Sequence, residues 1–311
     1  MENLTSAPGN VTLMLSYTRK VDDVTRTAFL ITSLLGFFFF FYFIAIMLKV
    51  FFTTPQMQEN PRYILFIHML INDTLYVIWG IVIVLFFMHS VYVPMIVCFI
   101  IHIMSSCSFR VTPYNLAVMS LERYIAICFP LRHLKFCTPK RAKYAIAMVW
   151  VIGLSLSIAN FTSGIYSTES TSYSVSVLCD GSLLMISPVQ RMVRSFTNIV
   201  SFTGVALIVV FTYINVMLVA RKVGSGGSSA HKAGKTVMLH AFQLMLCMAS
   251  FITNLTETYV KNYMYFLIVS NYVLFMCVPR FLSPLIYGVR DEALQKHIRK
   301  YCSISCVCRP Q

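Results

Sequence analysis

Seven apolar runs, each long enough to cross a lipid bilayer, constrain this chain more than any other feature. A bilayer core about 30 Å thick needs roughly 20 predominantly apolar residues per helix. Runs of that kind lie at about 28–52, 63–88, 94–121, 143–165, 195–220, 236–256 and 264–288. Lipid offers no partners to backbone N–H and C=O groups, so each run must be helical. The expected fold is an all-α membrane protein, a seven-transmembrane helix bundle with a short amphipathic cytoplasmic helix. Composition agrees: 12% of the residues are charged and 58% hydrophobic, against about 25% charged in soluble domains. The linking segments are short, so successive helices should run antiparallel. No internal repeat is evident, which disfavours a transporter built from duplicated halves.

The net charge of +14 does not point to nucleic acid, because the basic residues form no single patch. They recur after the first, third, fifth and seventh runs, among them Lys49, Arg132, Lys140, Arg221, Lys235, Arg290 and Lys300. The positive-inside rule then places the N-terminus outside and the C-terminus in the cytoplasm of a multi-pass plasma-membrane protein. Three parts follow: an extracellular tail at 1–26, the transmembrane domain at 27–289, and a cytoplasmic tail at 290–311. MENLTSAPGN lacks the basic start and apolar core of a cleaved signal peptide, so the first run is expected to serve as targeting signal. Asn3 and Asn10 head sequons in the outer tail and are the glycosylation candidates; Asn72 matches the pattern but sits mid-helix. The GSGGSS stretch at 224–229 reads as a flexible cytoplasmic linker between the fifth and sixth runs.

The third run carries the most chemistry. Cys98 and Arg123 lie 25 residues apart, about 37 Å along a helix and on nearly the same face. Of ten cysteines, Cys98 and Cys179 alone fall on the oxidising side. One disulfide between them would pin the loop at 166–190 to the third helix; two unpaired thiols are the other reading. Glu122 and Arg123 end the run at the cytoplasmic side. They are either interfacial charges that snorkel or a switch whose ion pair holds one helix arrangement and breaks in another.

The stretch MSLERYIAICFPLRH, the Trp150 in the fourth run, and PLIYGVRDE closing the seventh resemble the rhodopsin-like (class A) G-protein-coupled receptors. With GKTVMLHAFQLMLCM and PRFLSPLIYGVRDE, the chain is similar to fish odorant receptors over about residues 25–300. The resemblance implies a Cys98–Cys179 disulfide and a cytoplasmic switch at Glu122, Arg123 and Tyr124, with Arg123 turning toward the G protein on activation. Tyr213 matches an inner-end tyrosine of the fifth helix. Pro284 and Tyr287 match the closing motif of the seventh, and Asp73 the acid of the second. Ser283 stands where the family usually has Asn. No proline breaks the fifth helix near Val205, and the aromatic-Trp-Pro turn of the sixth is replaced by AFQLMLCMAS. The implied function is an odorant receptor that couples extracellular small-molecule binding to an olfactory-type stimulatory G protein. A receptor of the same fold for a peptide or small metabolite is the alternative. A channel would need a continuous polar stripe, and a retinal light receptor would need a Lys in the seventh helix. The sequence offers neither. No enzyme activity and no cofactor are expected.

Three charges fall near the membrane midplane: Asp73, Arg280 and Arg110. Counting inward from Arg62, Arg290 and Arg123 puts each about 15–20 Å deep, where an ionised group needs a partner. Asp73 with Arg280 is the preferred pair, replacing the sodium ion that the family's acid often holds. Water-solvated charges in an inner cavity are the other reading. Arg110 has no obvious acid. It is either satisfied by carbonyls, hydroxyls and water, helped by the carbonyl that Pro113 frees, or it faces the cavity and meets an anionic ligand group. His102, Glu257 and Tyr259 join Arg110 as pocket candidates in the outer half. The histidines lack metal-ligand spacing. In the tail, residues 290–301 alternate charge with Ala293, Leu294 and Ile298, as a helix lying on membrane lipids would. Cys302, Cys306 and Cys308 follow it as palmitoylation candidates, with reduced cytosolic thiols the plain alternative.

Overall fold

The structure, a computed structural model, describes residues 8–165, 176–179 and 188–223, together with 242, 245, 278 and 280–282. Most of the sixth and seventh runs, the 224–229 linker and the cytoplasmic tail lie outside the described residues. So do Asn3, Glu257, Tyr259, Pro284, Tyr287, Cys302, Cys306 and Cys308.

The described residues form α1 (Pro8–Thr53), α2 (Pro55–Gln58), α3 (Pro61–Met88), α4 (Met95–Cys128), α5 (Pro130–Phe136), α6 (Pro139–Ile165) and α7 (Pro188–Val223). Two three-residue strands, β1 (Tyr92–Pro94) and β2 (Ser176–Leu178), complete them. Six of these helices open on proline and the seventh, α4, follows Pro94 directly. Proline suits a first helical position because the N–H it lacks has no partner there and its φ is already helical. The membrane segments Leu34–Thr53, Pro61–Phe86, Met95–Cys128, Pro139–Thr162 and Pro188–Val219 are long and apolar enough to span a bilayer. They correspond to the first five apolar runs, with three differences. The third continues to Cys128, so Glu122 and Arg123 are helical. The fourth and fifth begin earlier, at Pro139 and Pro188, because proline starts a helix before the apolar residues do. α1 reaches back to Pro8, so Asn10 is placed in a helix rather than an irregular tail; no Pro or Gly interrupts the chain between Gly9 and Gly36. The chain divides into two units, Met1–Tyr42 and Phe43–Gln311.

Within the second unit α4 is the hub, packing against α3, α6 and α7. Met47, Val50, Leu65, Met69, Leu70, Leu116, Met119 and Phe202 form the main buried apolar cluster. On the other faces Met148, Val151, Leu207 and Phe211 are exposed, as lipid-facing side chains should be. Gly153 lets α6 approach α4 closely. A Cβ at this position would sit 3.2 Å from Val111 Cγ2 and 3.4 Å from Cys107 Sγ. Small residues of this kind set the contact distance between membrane helices. Gly153→Val is expected to cost about 1–3 kcal/mol by overpacking, read as a lower melting temperature in detergent and reduced surface expression. The exposed neighbour Val151→Ala should change neither.

Among the described residues, the strands are the one departure from an all-helical description. They pair antiparallel, with Tyr92 opposite Leu178, Val93 opposite Val177 and Pro94 opposite Ser176. This pairing lays the segment that follows α6 across the start of α4.

Candidate functional site

α4 carries the candidate residues in three tiers. At its first turn Cys98 is bonded to Cys179, with Cα atoms 5.5 Å apart. Cys179 directly follows β2, so the strand pair and the disulfide anchor one segment twice. Phe99 and Phe161 pack beside the bridge with ring centroids 6.2 Å apart. His102 stacks obliquely on Phe161 at 6.5 Å. The His102 ring and both sulfurs lie within 4.8 Å of one another. That grouping holds no metal as drawn, because the sulfurs are spent on each other.

In the middle tier Asp73 and Arg280 are fully buried and meet, with Arg280 Nε 3.6 Å from Asp73 Oδ1. Thr112 donates its hydroxyl to the same oxygen at 2.7 Å. Asn72 donates from Nδ2 to Thr112 Oγ1 and to the Ser108 carbonyl, both at 2.9 Å. The Arg280 guanidinium also lies 3.8 Å from the centroid of the Tyr76 ring, a cation–π contact that partly replaces lost hydration. A sodium ion at Asp73 would face this guanidinium directly, so the residues present do not fit one.

A second polar thread runs alongside. Trp150 Nε1–H donates to His68 Nε2 at 2.7 Å. His68 Nε2 is then an acceptor, so the proton resides on Nδ1 and points to Asn115 Oδ1 at 3.4 Å. Asn115 Nδ2 in turn donates to the Leu65 carbonyl at 3.0 Å. This chain ties α6, α3 and α4 together. Arg110, one and a half turns above Asn115, is 2% exposed. Its Nε and Nη1 find no acceptor among the described residues.

At the far end of α4, Glu122 is 8% exposed. It sits 3.6 Å from Arg123 Nε and 3.2 Å from His133 Nε2. His133 rides on α5, the short helix that Pro130 opens just after α4 ends. Glu122 thus has two basic partners. Tyr124 packs edge-on against Phe129 and against Phe211 of α7, both at 5.7 Å. Tyr213 lies on the same stretch of α7, half-buried.

A family model described as 7 transmembrane receptor (rhodopsin family) matches residues 43–287. The chain belongs to this family of rhodopsin-type seven-transmembrane receptors. It is therefore a multi-pass membrane protein of a signalling class rather than an enzyme class, and its architecture is the seven-helix bundle. Among relatives, it is 33% identical over 225 residues to odorant receptor 131-2 of Danio rerio, covering 69% of this chain and 66% of that one. It is 30% identical over 198 residues to olfactory receptor 2M5 of Homo sapiens, covering 60% and 61%. Somatostatin receptor type 5 of Bos taurus is 25% identical over 208 residues, covering 60% and 52%. The match thus spans less than two thirds of the length of each of these receptors, and about half of the last.

Several residues of this rhodopsin-family site escaped the reading by apolar runs and charges. Asn72 and Thr112 are the neutral groups that complete the Asp73 cluster. A buried Asn at helix centre is their one sequence signal. His68 and Asn115 could have been suspected because Trp150, in the middle of a membrane-spanning helix, needs an acceptor for its indole N–H. His133 had no signal beyond lying one short helix past Glu122.

Proposed function

We propose that the chain is an odorant receptor that couples binding of an extracellular small molecule to activation of a heterotrimeric G protein. The observation that carries this reading is the identity with the zebrafish odorant receptor, in a chain whose third crossing has a disulfide at one end and Glu122–Arg123 at the other. The positive-inside distribution supports an outer N-terminus and a cytoplasmic C-terminus. Ligand enters from the Cys98 side and binds among the third, fifth, sixth and seventh helices. It must prefer one bundle arrangement, because equal affinity for both shifts nothing. In the favoured arrangement Arg123 leaves Glu122, and the inner ends of the third and sixth helices part. The groove between them receives the α subunit, with Tyr124, Tyr213, Pro284 and Tyr287 lining the switch. An olfactory-type stimulatory subunit is the partner. Asn3 and Asn10 carry glycans outside, and Cys302, Cys306 and Cys308 carry acyl chains against the inner membrane face.

The test is expression with a stimulatory G protein and a screen of amino acids, amines, organic acids and steroids by cyclic AMP. Arg123→Ala is expected to abolish the response while surface labelling is unchanged. Glu122→Gln removes a pair worth ~1 kcal/mol and should raise ligand-free cyclic AMP about fivefold. Full signalling by a surface-expressed Arg123→Ala variant would refute the mechanism. The similarity to somatostatin receptor type 5 supports a second reading, a receptor for a peptide or small metabolite, which a response to peptides alone would favour.

A further inference from the structure

We propose that His133 is the counterion that holds Glu122 when Arg123 leaves it, so that a proton on His133 eases activation and acidification of the cytosol raises signalling. The proposal rests on the receptor reading above and adds a regulator of the same switch.

The hold of Arg123 on Glu122 is loose. Neighbours on a helix point about 100° apart and do not face each other. The 3.6 Å between Arg123 Nε and Glu122 Oε2 is too long for a hydrogen bond. Arg123 Nη2 has no hydrogen-bond partner among the described residues. His133 is closer, with Nε2 3.2 Å from the other carboxylate oxygen, Oε1.

His133 is tied to α4 itself. Only Phe129 separates α4 from α5. The Phe129 N–H donates to the Ile125 carbonyl, and the His133 N–H to the Phe129 carbonyl, both at 3.0 Å. The Phe129 ring packs on Tyr124. The other side of α5 faces outward, with Leu131 94% and Leu134 85% exposed. α5 therefore travels with α4, and His133 stays on Glu122 while Arg123 swings away.

The sign of the effect follows from burial. Glu122 is buried and cannot fall back on water. With His133 neutral, departure of Arg123 strands the carboxylate, which is costly. With His133 charged, the carboxylate keeps one cation, and two cations no longer crowd it. Protonation thus favours the arrangement in which Arg123 is away, and that arrangement in turn binds the proton more tightly. Histidine is the side chain that changes charge between pH 5 and 8. The surrounding arginines keep theirs: Arg62 of α3, which acts on Glu122 through space, Arg132 of α5, and Arg141 of α6, which lies over the Phe136 ring. Lys135 is exposed on α5. Burial, and then the charge of Glu122, push the Cys137 thiol up, so it stays neutral. Glu122 is the other group that can titrate, and replacing His133 separates the two.

The test clamps cytosolic pH with nigericin in cells expressing the full chain and a stimulatory G protein. Ligand-free cyclic AMP is read at equal surface density and corrected for the forskolin response of receptor-free cells. It is expected to rise about threefold as pH falls from about 7.6 to about 6.4. His133→Gln should stay low and flat with pH, and His133→Arg high and flat. A second readout needs no G protein. In the purified full chain, Arg123→Gln should lower the melting temperature less at the acid pH than at the alkaline one. In a His133→Gln background that difference should vanish. A pH dependence that survives His133→Gln, or signalling that rises on alkalinisation, overturns the proposal. A pH-dependent Arg123→Gln penalty in a chain that raises no cyclic AMP keeps the role of His133 and refutes G-protein coupling. Cyclic AMP signalling with a penalty that ignores pH does the reverse.

Discussion

Arg280→Leu is expected to lower the melting temperature in detergent more than any other conservative-volume change in the bundle, at a cost of about 3–5 kcal/mol. The partners are 0% and 2% exposed, so neither charge can fall back on bulk water. Without the guanidinium, the Asp73 carboxylate keeps one good donor, the Thr112 hydroxyl at 2.7 Å, and its Oδ2 has no hydrogen-bond partner among the described residues. The tyrosine face beneath Arg280 cannot substitute, since a ring face repels an anion as it attracts a cation. The loss is a penalty for stranding one charge, not the net worth of the pair. Asp73→Asn with Arg280→Leu should therefore recover most of it, and a double-mutant cycle should show strong coupling. A further consequence separates an ion pair from incidental proximity. Arg280→Leu vacates the cation position beside Asp73, so its melting temperature should rise when sodium replaces choline, whereas the unmodified chain should respond little. If Arg280→Leu melts with the unmodified chain, the pair contributes nothing and Asp73 is neutralised in another way.

How far these features were legible in the sequence depends on whether their cause is local. Helix existence is local: twenty apolar residues have one solution in lipid, and the five described spans lie on the first five runs. Helix starts were read too late where polar residues precede the apolar core, as at 139–142 and 188–194. The prolines at those starts were the better signal. Asp73 and Arg280 were paired by depth alone, counting residues inward from the basic borders. That works because the bilayer imposes one common axis on helices far apart in sequence. Rotation about each helix has no such ruler. The Trp150–His68–Asn115 thread and the contact of Glu122 with His133 depend on which faces meet. Those are set by packing, for example where Gly153 brings α6 onto Val111. The strand pair was missed for a related reason. Three residues on each side carry no periodicity, and they pair because Cys179 brings β2 to the start of α4.

Cys98→Ser should be the second most damaging change, and its effect should appear in the outer half before the inner one. The bond closes a loop with a sequence separation of 81. The chain-entropy relation assigns such a closure ~4–5 kcal/mol in a freely unfolding chain. Here the crossings between the cysteines remain in the membrane when the tertiary contacts go, so the loop is already restricted, and about 2–3 kcal/mol is the better expectation. Both sulfurs are buried with Phe99 and Phe161 around them, so breaking the bond also loosens the aromatic packing at the outer end of α4. Ligand potency should then fall further than the melting temperature alone predicts. The Glu122 contacts at the opposite end of α4 are ~35 Å away along the helix and should be unaffected. Ligand-free cyclic AMP at equal surface density is the check on that separation. Cys179→Ser and the double substitution should match Cys98→Ser, because all three remove the same cross-link. If Cys98→Ser were damaging while Cys179→Ser was silent, the sulfur at position 98 would matter for its packing and the cross-link would not.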